Sequence, residues 1–247
     1  MTDTQHSPLL PELTDIWQQT LSWQPNEVQQ KTFQRLYEGI LAGNRQLNLT
    51  RITAPEEFWE KHLWDSLRGV APLLQSSSFF QTMIDIGTGA GFPGFPVAIA
   101  LPQSSVTLLD STRKKINILD TLISQLNLEN ATTLVGRAEA IGQQPQHRQT
   151  YDIALVRAVG SASVCAEYAL PLLEVGGLAI LYRGHWTQAE TETLKPALEQ
   201  LGGAIEAIEP FTTPLTQSIR HCIYLRLISP TPAQFPRGVG IPAQQPL

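Results

Sequence analysis

Thr82-Met-Ile-Asp-Ile-Gly-Thr-Gly-Ala-Gly-Phe-Pro-Gly-Phe-Pro96 decides the fold. An apolar run with one acid inside it reaches a cluster of glycines, and an apolar helical pattern follows from Val97 to Leu101. This order of signals predicts strand, tight turn and helix. Gly87, Gly89, Gly91 and Gly94 keep side chains away from the turn, so a ligand can lie against bare backbone there. A simple connection needs neither four glycines nor the prolines at 93 and 96.

Two ligands suit such a turn, and they differ in charge. Gly89-Ala-Gly-Phe-Pro-Gly94 spells the G-x-G-x-x-G of dinucleotide-binding enzymes, which hold a pyrophosphate on backbone amides. Gly87-Thr-Gly-Ala-Gly91 behind Asp85 matches instead the turn of S-adenosylmethionine-dependent methyltransferases, whose ligand is cationic and carries no phosphate. Pro93 and Pro96 each remove an N–H that a phosphate would want, and Asp85 places an anion near a group expected to be positive. The second reading is favoured. An NAD-dependent oxidoreductase and a non-catalytic nucleotide-binding protein stand as its rivals.

Downstream, apolar runs at 106–110, 131–136, 151–157 and 177–182 alternate with helical patterns at 94–101, 112–127, 138–142, 161–173 and 187–201. Repeated strand–helix units predict an α/β fold, a Rossmann-like and mostly parallel seven-stranded sheet with its ligands at the carboxyl ends of the strands. No helix-length connection separates runs at 204–208 and 221–228, so the last strand is expected to be antiparallel. Three helical patterns precede the first strand. Leu10, Leu13, Trp17 and Leu21 share one face; Asn26 and Gln29 read as a capping box; a third pattern opens at Thr53 and Pro55. The expected organisation is an N-terminal helical extension over 1–75, a methyltransferase domain over 76–228 and a Pro-rich tail over 229–247, ordered or loose.

The net charge of −5 argues against non-specific coating of nucleic acid but leaves room for a local basic face. Acids alone occupy the first thirty residues, and none follows Glu209, whereas Arg220, Arg226 and Arg237 fall in the C-terminal part. No apolar run is long enough for a membrane and the N-terminus is no signal peptide, so the expected location is the cytoplasm. Cys165 and Cys222 lie far apart in apolar surroundings, which points to buried thiols and to no metal site.

Candidate site residues fall at strand ends. Asp110 closes the second strand about 20 residues beyond the glycines, where a carboxylate can accept from both ribose hydroxyls; it equally suits a helix cap together with Ser111 and Thr112. Ala138 and Glu139 follow the third strand, a place for the adenine edge, although Glu139 also suits the first turn of a helix. Arg157 ends the fourth strand, on the rim where a methyl acceptor approaches, or else forms an ion pair. Neither an Asn/Asp-Pro-Pro-aromatic motif nor a Pro-Cys nucleophile is present, and no catalytic base is assigned.

Lys61-His-Leu-Trp-Asp-Ser66, the 85–96 turn, Leu108-Leu-Asp-Ser111 with Lys114-Lys115, Arg137-Ala-Glu139 and Val156-Arg-Ala158 together resemble the ribosomal RNA small subunit methyltransferase G family. Also called glucose-inhibited division protein B, these are bacterial enzymes that methylate guanine N7 in 16S rRNA. The resemblance implies a class I methyltransferase using S-adenosylmethionine, with Gly87, Gly89, Gly91, Phe92, Asp110, Ser111, Thr112, Ala138, Glu139 and Arg157 at the cofactor. It further implies a guanine of the decoding region as acceptor; the expected setting is a small ribosomal subunit particle, with His62, Arg183 and Arg237 as candidates for the RNA side, and the oligomeric state is open, a monomer being favoured. Two stretches depart from the family pattern: Tyr182-Arg-Gly184 has Arg for Lys, and the tail around Pro236, Arg237, Gly240 and Pro242 lacks a lysine.

Overall fold

The computed structural model describes residues 8–75 and 81–247; the first seven residues and the boundary expected at 75/76 lie outside the described residues. Seven strands form one sheet in the order β3-β2-β1-β4-β5-β7-β6. They are β1 (Thr82–Ile86), β2 (Ser105–Asp110), β3 (Ala131–Val135), β4 (Tyr151–Arg157), β5 (Leu173–Arg183), β6 (Gly203–Thr212) and β7 (Ile219–Leu227). β1 pairs in parallel with both β2 and β4, and β7 runs antiparallel between β5 and β6. The chain therefore builds outward from β1 to β3, returns to the other side of β1 and continues as β4. That reversal opens a crevice beyond the carboxyl ends of β1 and β4, where α/β sheets bind ligands.

Strand alternation decides which face each site residue serves. Met83, Leu108, Ile153 and Leu155 join one apolar cluster, while Ile84, Ile86, Leu109, Ala154 and Val156 join the other. Asp85 and Arg157 follow the parity of the first set, so both face the N-terminal helices. Those helices are α1 (Thr14–Leu21), α2 (Glu27–Asn44), α3 (Pro55–Phe58), a π-helical stretch Trp59–Trp64, α4 (Asp65–Arg68) and α5 (Ala71–Leu74). Trp17, Trp59 and Trp64 are buried in the same cluster as Met83 and Leu155, so helices and sheet share a continuous core. The Asn26–Gln29 capping box forms at the start of α2 as its residue types require.

The remaining helices are α6 (Gly94–Ala100), α7 (Arg113–Leu126), α8 (Ala138–Ile141), α9 (Ala162–Ala169), α10 (Gln188–Leu201) and α11 (Ile241–Gln244). Several boundaries differ from the sequence reading. α1 starts at Thr14 instead of 9, because Pro8 and Pro11 hold the preceding chain out of a helix. The helix expected over 161–173 ends at Ala169, where Pro171 turns the chain into a 3-10 segment and β5 begins early, at Leu173. β6 runs on through Pro210, which an edge strand tolerates because its outer N–H needs no partner. The tail packs on the domain: Phe235 is buried, and the Arg148 guanidinium donates to the carbonyls of Thr231 and Phe235, each at 2.7 Å. Among the described residues no helix is long and apolar enough to cross a membrane.

Candidate functional site

Two cavities meet over the β1 turn and share Gly87 and Asp110. The first, of about 380 Å³, is walled by Leu109, Ala138, Val159 and Val164, with Ser111 and Tyr168 at its polar side. The second, of about 420 Å³, is lined by Lys61, His62, Asp65, Lys115, Arg157 and Arg220 beside Gly89 and Phe92. Its four cations against the two acids Asp65 and Asp110 invert the charge balance of a chain whose net charge is −5.

The turn itself is stitched together from within. The amides of Gly87 and Thr88 donate to Leu109 O, those of Gly91 and Phe92 to Thr88 O, and that of Phe95 to Gly91 O. Gly89 N–H goes to Asp110 Oδ2 at 3.0 Å and Gly94 N–H to Asp85 Oδ2 at 2.8 Å. Pro93 has no N–H to give. A row of free amides, which a pyrophosphate requires, does not exist here, and this counts against the dinucleotide reading of Gly89-x-Gly-x-x-Gly94. A phosphate-free ligand meets no such obstacle. Gly89 takes φ +62°, and a Cβ built on it would meet nothing nearer than Gly87 O at 3.8 Å, so a side chain would intrude on cavity space and not on protein. Gly94 has another reason to be glycine: a Cβ there would strike the Leu108 side chain and sit 2.9 Å from Asp85 Oδ2.

Asp85 is wholly buried and lines neither cavity. Its Oδ2 accepts from the Thr88 hydroxyl at 2.5 Å and from Gly94, while Oδ1 has no partner; burial pushes its carboxyl up to about 6. The acid expected near a cationic group therefore has no face on either cavity. It braces the turn from beneath. Asp110 does stand between the cavities: Oδ1 accepts from Thr112 N–H at 2.8 Å, and Lys115 Nζ lies 4.0 Å from Oδ2. Each oxygen retains a second lone pair for a sugar hydroxyl. Both readings of Asp110, turn and helix brace and ribose acceptor, are compatible with this placement.

Of the other expected cofactor residues, Gly87, Ser111, Ala138 and Glu139 line the first cavity, and Gly89, Phe92 and Arg157 the second. Gly91 and Thr112 shape the turn and the start of α7 without lining either. Glu139 is buried and its Oε1 is already crowded, accepting from Arg137 Nη2 at 2.7 Å, Gly240 N at 3.0 Å and Tyr168 Oη at 3.2 Å. Burial alone would raise its carboxyl, but the hydrogen bonds from Arg137 and Gly240 hold it below the usual range. Burial likewise pushes the Tyr168 phenol up to about 12, so it remains a donor. Glu139 is in this way the tie between α8, α9 and the tail.

Arg157 reaches back to the N-terminal helices, donating to Lys61 O at 2.9 Å and Asp65 Oδ2 at 3.1 Å. His62 stacks flat on Phe92 with centroids 4.2 Å apart, and its Nε2 lies 2.8 Å from Thr50 Oγ1. Burial, with Arg157 and Lys61 nearby, drops its pKa to about 3. It is a neutral ring at ordinary pH and offers phosphate no cation. Arg183 donates to Gly160 O at 2.7 Å and so braces the loop after β4, while Arg237 is bound through its main-chain N–H and its guanidinium to buried Glu167. Both frame the first cavity from outside. Sequence reasoning missed Val159, Val164, Tyr168, Ala243 and Pro246 as walls and Asp65 and Arg220 as partners. Asp65 carried a signal within the Lys61–Ser66 motif and Arg220 one within the C-terminal run of arginines.

Comparison with known proteins points the same way. A family model described as rRNA small subunit methyltransferase G matches residues 29–221. The chain is similar to proteins named ribosomal RNA small subunit methyltransferase G from Trichormus variabilis (65% identical, 97% of this chain and 99% of the relative) and Trichodesmium erythraeum (57%, 97% and 95%). In fold it resembles the solved structure of the antibiotic-resistance methyltransferase Kmr, with TM-score 0.52, 17% identity and 68% of this chain and 92% of that one covered. It also resembles the solved structure of PH0793 from Pyrococcus horikoshii, with TM-score 0.53, 14% identity and coverage of 67% and 64%.

Proposed function

The chain belongs to the ribosomal RNA small subunit methyltransferase G family and is an S-adenosylmethionine-dependent methyltransferase, and from that premise we propose that it methylates N7 of one guanine in 16S rRNA. Its substrate is a small ribosomal subunit particle, its place the cytoplasm and its working form a monomer. The observation that carries this reading is the pair of joined cavities: an apolar one for a flat base and a basic one for a nucleotide, meeting at Gly87 and Asp110.

When bound, S-adenosylmethionine supplies a methyl group on a cationic sulfur, and a guanine N7 accepts it through a lone pair without first losing a proton. The chain therefore needs no general base, and its tasks are holding, aligning and screening. Leu109, Ala138, Val159 and Val164 would enclose the adenine, Asp110 would accept from the ribose, and the bare backbone of Gly87 and Gly89 would leave room for the methionine arm. Arg157, Arg220, Lys61 and Lys115 receive RNA phosphate. Neutral His62, flat on Phe92, gives the target base an aromatic wall. Arg183 and Arg237 hold the loop and tail, and the RNA contact expected of them is secondary to that. The particle supplies the affinity that a net charge of −5 withholds.

The test is transfer of labelled methyl from S-adenosylmethionine to small subunits from cells lacking this chain, with the product mapped. Label in one N7-methylguanine is expected. Label at another atom, or bound cofactor without transfer, would replace this reading by a different methyltransferase or by a binding protein.

A further inference from the structure

Asp65 lies at the start of α4 and is buried, yet it lines the RNA-side cavity. Its carboxylate meets two arginines from different strands. Arg157, ending β4, donates from Nη1 to Oδ2 at 3.1 Å; Arg220, in β7, donates from Nη2 to the same oxygen at 3.3 Å and sets Nε 2.9 Å from Oδ1. The last contact is an attraction of charges without hydrogen-bond alignment, and it completes a side-on approach of Arg220 to the carboxylate. Arg157 has a further acceptor in Lys61 O, whereas for the Arg220 guanidinium the only hydrogen-bond or ion-pair partner among the described residues is Asp65.

We infer that Asp65 is a positioning residue, which fixes Arg157 and Arg220 side by side on the wall of the cavity that receives RNA. The inference rests on the functional reading above and adds to it the device that aims the arginines. One carboxylate between two guanidiniums leaves a net charge of +1, so the cluster still attracts phosphate while neither side chain is free to wander. An arginine held in advance loses less rotamer freedom when it binds. The π-helical stretch Trp59–Trp64 runs directly into α4 and so sets the register in which Asp65 arrives between the strands.

Charge and position make opposite predictions, which makes the idea testable. Removing an acid from a cavity that takes up a polyanion should, on attraction alone, tighten RNA binding and quicken transfer. If Asp65 positions, the same change slows it. The experiment measures methyl transfer to unmodified small subunits by the full chain, with S-adenosylmethionine affinity followed by calorimetry. For D65N, kcat/KM for the particle should fall by about tenfold or more while cofactor Kd stays within about twofold, and adding D65N to R220Q should cost clearly less than D65N costs alone, Arg157 being the one arginine left to release. D65E keeps the charge but shifts it by a methylene, so it should fail similarly and serves if D65N does not fold. Transfer by D65N or D65E at or above the wild-type rate, or additive losses with R220Q, overturns the role of Asp65. A wild-type chain that binds the cofactor but transfers nothing to the particle overturns the functional reading instead.

Discussion

Asp110 serves two structural donors with two oxygens and still faces both cavities: Gly89 N–H is bound by Oδ2 and Thr112 N–H by Oδ1. D110A should therefore loosen the turn as well as lose the sugar, weakening S-adenosylmethionine binding by about 1–3 kcal/mol, the scale of a lost charged hydrogen bond. An unchanged calorimetric Kd would take Asp110 out of the site. His62 has a pH signature. Its folded pKa, near 3, lies below the ordinary value of 6.5, so on acidification the unfolded chain takes up a proton that the native ring refuses. Stability from this group is full above pH 6.5 and declines as pH falls toward 3, by about 1.4 kcal/mol between pH 7.5 and 5.5. Asp85, raised to about 6, acts in the opposite sense over part of that range. Urea unfolding of wild type against H62Q at both pH values isolates the histidine: the wild type should lose more on acidification, and parallel pH dependences would refute the buried neutral ring.

At the scale of elements, Glu60 in the π-helical stretch reaches the turn between β6 and β7. Its Oε1 accepts from Leu215 N at 2.5 Å and Thr216 N at 2.9 Å, and Oε2 accepts from the Thr216 hydroxyl at 2.6 Å. Glu60 is 1% exposed, so E60A would strand two amides that it now satisfies, at a cost of about 1–3 kcal/mol. Limited proteolysis should then cut within 213–218 while cofactor affinity holds; an uncut turn would show that the latch contributes little. Elements bounded by local chemistry were legible in the sequence: the Asn26 cap, the glycine turn, and each strand run that the sheet adopts. The π-helical stretch was not, since one extra residue in a turn leaves the apolar spacing of Phe58, Trp59, Leu63, Trp64 and Leu67 still helical to the eye. The strand pattern was enough to place Arg157 at a strand end on the rim, but not to name Asp65 as its partner, because partners 92 residues apart are chosen by packing.

At the scale of the whole molecule, the tail, 229–247, closes the first cavity. Ala243 and Pro246 complete the wall that Ala138 and Val164 begin, and composition alone could not place a proline-rich tail against a strand end far away in sequence. Two buried carboxylates on neighbouring elements keep it there. Glu139 accepts Gly240 N–H, and Glu167, fully buried in α9, accepts Arg237 through main chain and guanidinium together, with Nη2 2.6 Å from Oε2. Because the arginine side chain is partly open to water, E167Q forfeits only a screened share of a buried pair, about 1–3 kcal/mol. That energy is concentrated in the tail, so the effect should be local opening before global unfolding. In E167Q, protease should cut between 230 and 247 at concentrations that spare the wild type, and S-adenosylmethionine affinity should fall as the cavity loses a wall. Saturating cofactor should then restore protection, since a ligand enclosed by the tail favours the closed form by mass action. Cleavage that cofactor does not slow, with an unaltered Kd, would mean that the tail merely rests beside the cavity and takes no part in holding what binds there.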